Sequence, residues 1–299
     1  MGRESLTRAR TGAPGAWAPL PRQARDLMGL PKKLGALGAL DVRLATTKSE
    51  IRSAQKLRYR VFFEEGGARA DATARLIRRD VCRFDRVCDH LIVVDNAVAR
   101  YDGAPTVVGA YRLLRGEAAD DNFGFYSAGE FEVASLVARH RGKRLLELGR
   151  SCVAPGYRGK RALELLWRGV WAYARRHRVD VMFGCASFPG ADPAAHLAAL
   201  RFLRGNSAAD PLWDVGAVPG RAVDLGPSDE ASLDPRAAIR ALPPLIKGYW
   251  RLGARFGPQA VVDESFGATD VFAVLPVAEI EPRYVAFFGA EGGAAALAA

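Results

Sequence analysis

The stretch that most constrains the fold is residues 144–173, RLLELGRSCVAPGYRGKRALELLWRGVWAY. A short apolar run over 145–153 ends at the tripeptide Ala-Pro-Gly of 154–156, and Pro and Gly end regular structure more sharply than other residues do. Apolar residues then recur at spacings of three and four, which predicts a helix with one buried face. These residues are Leu163, Leu166, Trp167, Val170 and Trp171. The sequence therefore predicts a strand, a tight turn and a helix.

The turn of this unit is a candidate anion site. The first N–H groups of a helix lack partners and the helix dipole is positive there. Arg158, Lys160 and Arg161 would add charge-assisted donors. The alternative is a solvated basic corner. Glu147 and Arg150 favour a functional site, because charges inside a short apolar strand are costly unless they are paired or used.

Composition bounds the class of protein. The chain has 299 residues, enough for one large domain or two small ones, and its net charge of +10 suits an acidic partner such as nucleic acid, an anionic membrane or an acidic protein. The four cysteines show no C-x-x-C spacing, so we expect neither a metal site nor disulfides. No apolar run approaches the roughly 20 residues of a membrane span, and no secretory signal is visible. These features predict a cytoplasmic protein.

Three regions are expected along the chain: a basic, flexible leader over 1–41, a folded domain over 42–289 and a flexible tail over 290–299. Leucines alternate with basic residues in the leader, which fits either a membrane-surface segment or a solvated tail. A second basic segment with aromatic residues surrounds Tyr249 and Trp250 and suggests a lipid or nucleic-acid surface. The sequence shows no helix-turn-helix, zinc or RNP pattern, so we expect no nucleic-acid partner.

Residues 144–173 resemble motif A of the GNAT acyltransferases. Arg158 stands at the first position of the pyrophosphate loop of those enzymes, but Arg161 and Leu163 stand where that loop has glycines. The segments ELGRSCVAP, YRG and LLWRGVWAY resemble the bacterial ornithine N-acyltransferases, which are similar in turn to acyl-homoserine-lactone synthases. The resemblance covers residues 44–288 through several motifs in order. It implies an α/β, GNAT-like fold with a mixed central sheet flanked by helices.

The resemblance also implies an activity. An acyl or 3-hydroxyacyl group would pass from acyl carrier protein to the α-amine of L-ornithine, giving lyso-ornithine lipid without a cofactor or metal. The missing loop glycines favour acyl carrier protein over coenzyme A as the donor. The alternatives are an acyl-CoA-dependent transferase that acts on another amine and a non-catalytic, basic lipid-binding module. Peripheral contact with the anionic inner face of the cell membrane is a further expectation.

Glu147 is the first candidate for the general base, because leucines on both sides of it would raise the pKa of its carboxyl group. His90 is the second candidate, since imidazole titrates near neutral pH. Arg150 would orient Glu147 or bind the carboxylate of the acceptor with its planar fork. The alternative interpretation of His90 is a core histidine.

The remaining site residues follow from the resemblance. Asp85 and Asp89 would hold the distal ammonium of the acceptor, unless they belong to a loop with a helix-capping Asp, and Arg112 would lie beside them. Arg58 and Phe62 would border the acyl channel, unless Arg58 is a surface arginine. The phosphopantetheine phosphate, or the acidic face of the carrier, would meet Arg158, Lys160 and Arg161. Asp263, Thr269 and Asp270 match polar positions of the family. Aromatic residues at 123, 125, 126 and 131 fit either an acyl tunnel or the core.

Overall fold

The computed structural model of the chain describes residues 30–99, 101, 103–226 and 234–289. Its nine strands are β1 (Gly35–Leu37), β2 (Leu40–Leu44), β3 (Asp89–Ala99), β4 (Pro105–Arg115), β5 (Leu145–Val153), β6 (Val181–Pro189), β7 (Ala222–Val223), β8 (Arg255–Asp263) and β9 (Ala268–Pro276). They form one mixed sheet in the order β1-β2-β3-β4-β5-β6-β9-β8-β7. All pairings are antiparallel except that of β5 with β6. The predicted mixed α/β sheet is confirmed.

The α-helices of the described residues flank this sheet. They are α1 (Lys48–Tyr59), α2 (Ala72–Ile77), α3 (Gly116–Asp120), α4 (Val133–Arg139), α5 (Lys160–Arg176), α6 (Leu197–Asn206), α7 (Pro235–Ala241), α8 (Pro244–Arg251) and α9 (Pro282–Gly289). A π-helical turn, Arg60–Glu65, continues α1 directly. A capping box fixes the start of α1, because Thr47 accepts from the Glu50 N–H and Glu50 accepts from the Thr47 N–H.

The predicted strand–turn–helix unit is present as β5, a 3₁₀ turn over Pro155–Tyr157, and α5. The apolar face of α5 is buried against β1 to β5, where it packs with the core that contains Leu91 and Val93. Leu166, Val170 and Tyr173 of this helix are fully buried. The unit therefore holds β5 in the centre of the sheet, with its carboxyl end directed at the start of α5.

The sheet opens between β5 and β6. Their parallel ladder has three residue pairs, from Leu145–Val181 to Glu147–Phe183, and ends there within the part of the chain that the structure describes. Gly184 comes next on β6, and a Cβ atom at this position would lie 2.3 Å from the carbonyl oxygen of Leu148. The close approach of the two backbones therefore requires glycine at the point where the strands separate.

The start of the folded domain lies earlier than the predicted boundary at residue 42. The hairpin of β1 and β2 pairs with β3, so the sheet begins at Gly35. Leucines that suggested a membrane-facing leader pack against the core instead; these are Leu30, Leu34, Leu37 and Leu40. Residues 1–29, with Leu27 and Met28 of the expected leader, and the expected tail 290–299 lie outside the described residues. No helix of the described ranges is both long and apolar enough to cross a membrane.

The aromatic surface expected around Tyr249 and Trp250 is not formed. Tyr249 on α8 is buried and its hydroxyl contacts that of Tyr111 on β4. Trp250 packs edge-on against Phe202 of α6, with 5.7 Å between ring centroids. The aromatic residues of α8 thus belong to the core, because the apolar side of this short helix covers the sheet.

Candidate active site

A cavity of about 300 Å³ fills the opening between β5 and β6. Its walls come from both of these strands, from β4 and β9, and from α8. Of the residues proposed from the sequence as site residues, Phe62, Arg112, Glu147 and Arg150 line it, as do Asp263 and Asp270. Tyr126 is the only member of the suggested aromatic tunnel in this wall, and Phe131 is fully buried core.

The cavity reaches both faces of the sheet and its two ends differ in chemistry. Glu147 pairs with Phe183, and Ser187 pairs with Asp270, so side-chain alternation places Glu147, Ser187 and Asp270 on one face. The apolar lining belongs to the α5 and α8 side; it comprises Tyr111, Leu148, Phe188, Leu245 and Tyr249. The opening therefore joins an apolar compartment to a polar one.

Glu147 is held by a short segment before α4. One carboxylate oxygen accepts from the Tyr126 N–H at 2.8 Å, and the other from the Ser127 N–H at 2.7 Å and the Ser127 hydroxyl at 2.5 Å. Burial raises the pKa of Glu147, while the hydrogen bonds from Ser127 and Tyr126 act against that rise. An ionised carboxylate has about four acceptor sites, so these three bonds leave one for a ligand or water.

Arg150 lies at a bulge of β5. Two residues, Arg150 and Ser151, oppose the single Tyr111 of β4, and Arg150 has φ of 53°, which is unusual for a residue other than glycine. Among the described residues, the other positive-φ residues with side chains, Arg78 and Arg178, lie one and two positions after the end of a helix. Backbone strain in mid-strand is typical of functional sites.

The partners of Arg150 differ from those predicted. Its Nε donates to Asp80 at 3.2 Å, and its guanidinium lies over the rings of Tyr126 and Phe266 at 4.6 and 4.2 Å. Burial disfavours the charge, but Tyr126 and Asp80 outweigh it and raise the pKa of Arg150. The segment that orients Glu147 is therefore Tyr126–Ser127 rather than Arg150.

Arg58 and Asp85 form a buried ion cluster instead of a binding surface. Arg58 is 1% exposed; it makes two hydrogen bonds to the carboxylate of Asp85, at 2.8 and 2.9 Å, and one to the carboxylate of Asp80 at 2.8 Å. Asp85 also accepts from Gln55 at 3.0 Å. Burial opposes ionisation, yet Arg58 outweighs it and lowers the pKa of Asp85. Neither Arg58 nor Asp85 lines the cavity, because the two neutralise each other beneath its wall.

His90 and Asp89 are also kept from the cavity. His90 is 2% exposed, its Nε2 contacts the Asp85 carbonyl oxygen at 3.0 Å, and burial lowers its pKa to about 4. Asp89 accepts from the Tyr173 hydroxyl at 2.5 Å and faces Arg115. This placement favours the interpretation of His90 as a core histidine and gives Asp89 a structural partner.

Arg112 and Phe62 both line the cavity. Arg112 on β4 is 3% exposed and contacts the Cys82 sulfur at 2.7 Å and Asp85 at 3.5 Å. Phe62 lies in the π-helical turn and meets Phe266 edge-on at 5.8 Å. Irregular helical turns of this type are frequent at functional sites. The turn places Phe62 at the cavity, where the sequence expected a border of the acyl channel.

The basic corner before α5 lies outside this cavity. Gly159 is the N-cap residue of α5 and Lys160 is its first residue. Arg158 is half exposed and makes an ion pair with Glu65 at 2.6 Å, and Arg161 is exposed beside a second surface depression with Tyr157. The described side chains of this corner are therefore accessible to a large partner.

A group of acids that the sequence did not bring together lies at the polar end. Glu130, Asp263 and Asp270 are each at most 8% exposed. Glu130, Asp270 and Cys185 have ligand atoms within 4.8 Å of one another, and the Cys185 thiol donates to Glu130 at 3.3 Å. Asp263 uses one oxygen to accept from two N–H groups of the β8–β9 turn. The sequence signal for this group was the charge of Asp270 inside β9, an otherwise apolar strand. The sequence around Glu130 gave no such signal.

Comparison with known proteins agrees with this architecture. A family model described as "Acetyltransferase (GNAT) domain" matches residues 57–168. The chain is 52% identical over 260 residues to the L-ornithine N(alpha)-acyltransferase of Brucella abortus (strain 2308), covering 86% of this chain and 92% of that one. Identity to the protein of the same name from Agrobacterium fabrum (strain C58 / ATCC 33970) is 52% over 276 residues, which is 92% of each chain.

Among solved structures, an N-acyl amino acid synthase from uncultured soil microbes aligns with a TM-score of 0.46 and 12% identity, over 80% of this chain and 92% of that one. The fold and the sequence matches define an enzyme of the GNAT class, an N-acyltransferase. Within that class the chain belongs to the L-ornithine N(alpha)-acyltransferase family.

Proposed function

We propose that this protein transfers an acyl group from acyl carrier protein to the α-amine of L-ornithine, giving lyso-ornithine lipid. The observation that carries the proposal is the cavity through the sheet, which joins an apolar compartment to a polar one that contains Glu147, Arg112 and Arg150. A reaction between an acyl chain and a polar amine needs both compartments to meet at one point. The names of the relatives support ornithine as the amine.

The base in this proposal is Glu147. The attacking amine must lose a proton, and a buried carboxylate with a raised pKa is better matched to that task than an exposed one. The acceptor site that Tyr126 and Ser127 leave free is where the amine, or a water molecule that touches it, would deliver the proton. The fixed hydrogen bonds keep the carboxylate in one orientation while this happens.

The bulge in β5 supplies the other half of the chemistry. A bulge leaves one residue outside the ladder, so a backbone N–H near Arg150 and Ser151 is the proposed donor to the tetrahedral oxyanion. Amine attack forms the C–N bond, and collapse of the oxyanion breaks the C–S bond and releases the carrier thiol. Arg150 pairs with Asp80 through Nε and also hydrogen-bonds the Tyr126 side chain, so its remaining Nη donors are the part proposed to bind the acceptor carboxylate.

Acyl carrier protein, rather than coenzyme A, is the proposed donor. The α5 N-terminus lacks the glycines at 161 and 163 that allow a nucleotide pyrophosphate to approach the backbone, and Arg158 and Arg161 would meet an acidic carrier.

Peripheral contact with the anionic inner face of the cell membrane is also proposed, on the basis of the basic leader. Vesicle flotation of the full chain and of a chain lacking residues 1–29 tests that contact.

The deciding experiment combines purified protein and L-ornithine with acyl carrier protein thioester or acyl-CoA in parallel. Mass spectrometry of the product should show N-acyl-ornithine from the carrier thioester, with kcat/KM far above that for acyl-CoA. Equal kcat/KM values would refute the donor preference. Turnover of another amine, without acylation of ornithine, would refute the proposal that ornithine is the acceptor.

A further inference from the structure

The acceptor proposed above has a second amine, and the proposed chemistry uses no residue of the acid group at the polar end of the cavity. Asp270 and Asp263 line this end, and Glu130 lies against Asp270. Asp263 pairs with Ala268, and Val261 with Asp270, so the two aspartates are diagonal neighbours on one face of β8 and β9. Their position is continuous with Glu147 through Cys185 and Ser187, which also line the cavity.

Among the described residues, the acid group makes no ion pair. Oδ1 of Asp270, on a side chain 5% exposed, has no hydrogen-bond partner among the described residues. No lysine or arginine of the described ranges lies within ion-pair distance of these three acids, and nearby Arg221 donates to the carbonyl oxygens of Gly129 and Val262. Buried carboxylates without a cation are costly. An unpaired oxygen at the cavity wall therefore points to a cationic ligand.

We propose that Glu130, Asp263 and Asp270 bind the side-chain ammonium of the acceptor and select diamino acids over amino acids that lack that charge. This inference rests on the proposed acyl transfer to ornithine. The strand register gives the spacing: Phe183 is opposite Glu147, Ser187 is opposite Asp270, and Cys185 lies between them on β6. An acceptor lying along β6 places its α-amine near Glu147 and its side-chain amine near the acids.

An ammonium ion fits this group better than a divalent metal. The Cys185 thiol keeps its proton, because burial raises its pKa well above the usual value and the thiol donates to Glu130. Metal ligation requires a thiolate. An ammonium offers three N–H donors, which match three carboxylates without deprotonating the thiol. The site therefore replaces Asp85 and Asp89, to which the sequence assigned the distal ammonium.

L-Norvaline tests the inference, because it has the carbon chain of ornithine without the side-chain amine. Wild-type protein should acylate ornithine with a much higher kcat/KM than norvaline. In Asp270→Asn the ratio of the two values should fall roughly ten- to hundredfold, the range expected for a lost hydrogen bond between charged groups. Glu117→Gln, which removes an exposed acid that does not line the cavity, is the matched control and should keep the wild-type ratio.

The outcomes separate the inference from the proposed function. Loss of activity of Asp270→Asn towards both acceptors in equal proportion would overturn the ammonium site and leave the acyl transfer standing. Failure of the wild type to acylate ornithine would overturn the proposed function itself. If Asp270→Asn does not fold, Asp263→Asn decides by the same ratio. If the purified wild type contains stoichiometric divalent metal and the variant does not, the site binds a metal rather than an ammonium group.

Discussion

Two groups of buried charges lie against the same cavity, and they differ in how their charges are balanced. Arg58, Asp80 and Asp85 form a network in which guanidinium and carboxylate groups satisfy one another. At the polar end, Glu130 and Asp270 face each other and a thiol, and no basic side chain in the described part of the chain forms an ion pair with them. Both groups are almost completely buried. Burial alone therefore does not mark a binding site.

Charge balance distinguishes the two groups. A closed ion cluster binds its own members and is a structural element, even where its residues match positions expected to bind a substrate. An open cluster keeps unfavourable electrostatic energy until a proton or a ligand supplies the missing charge. In this protein the closed group lies beneath the cavity wall, whereas Asp263 and Asp270 of the open group line the cavity.

Glu147 fits neither group, because its carboxylate is well hydrogen-bonded and is still proposed as the base. Glu147→Gln should lower kcat by about two to four orders of magnitude, the range for a lost general base. Raising the pH should rescue part of the activity, since more amine then arrives without its proton. The control is Ser127→Ala, which removes one hydrogen bond to Glu147 and no charge. Its steady-state kinetics are compared with those of Glu147→Gln.

A purely structural Glu147 would give a different pattern. Glu147→Gln would then melt early and show no rescue at high pH. Large kinetic losses in His90→Gln, with near-normal turnover in Glu147→Gln, would transfer the role of base to His90 despite its burial.

Removing the cation of the closed group should unfold the protein more easily. Arg58→Met leaves Asp80 and Asp85 without their main partner, and breaking a buried ion pair from one side costs about 3–5 kcal/mol of unfolding free energy. Denaturant titration measures this loss. A change below about 1 kcal/mol would show that the cluster contributes little and would weaken the contrast with the acid group.

Removing an acid from the open group should increase the unfolding free energy in the absence of ligand, the opposite of the effect expected for Arg58→Met. Burial and nearby Glu130 raise the pKa of Asp270 to about 8, whereas an unfolded aspartate titrates near pH 4. Between these values the folded state binds more protons, so this carboxyl destabilises the wild type progressively as pH rises from about 4 to 8. Asp270→Asn lacks that penalty.

The expected signature is the difference in unfolding free energy, variant minus wild type, measured from pH 5 to pH 8. It should increase with pH by an amount on the order of 1–3 kcal/mol. At one fixed concentration, L-ornithine should stabilise the wild type more than the variant, because the variant binds it more weakly. A difference that stays constant with pH would show that Asp270 is already neutralised by a group of the protein.

The exposed pair Arg158–Glu65 should behave unlike either buried group. Surface ion pairs contribute about 0–1 kcal/mol, so Arg158→Ala should leave the melting temperature nearly unchanged. The same change should raise KM for acyl carrier protein several-fold at low salt, with the difference shrinking at high salt. A similar effect with acyl-CoA as donor would argue against carrier docking at this corner.

Local patterns in the sequence predicted the centre of the fold well. The apolar run, the Pro-Gly break and the three-and-four spacing locate β5 and α5, since each depends on neighbours within a few residues. The cost of charge in an apolar strand singled out Glu147, which lines the cavity. The same argument applied to Asp270, in the wholly buried strand β9, would have found the acid group as well.

Long-range partners are what the sequence could not provide. Ser127 holds Glu147 across 20 positions, and Glu130 meets Asp270 across 140, so no local spacing relates either pair. Asp85 and Asp89 looked suitable for an ammonium because they lie close together in sequence. Strand alternation and Arg58 direct them away from the cavity, a result that depends on the packing of α1 on the sheet.

The separation of β5 from β6 also affects how the sheet acts as a cooperative unit. Three residue pairs connect the half containing β1–β5 to the half containing β6–β9, and α5 covers the first half. Amide hydrogen exchange should therefore report two blocks of protection, with the weakest coupling at Val181–Phe183. A thioester bound in the gap would touch both blocks. Bound substrate would therefore slow amide hydrogen exchange on both sides together and connect the two halves of the sheet where their own pairing ends.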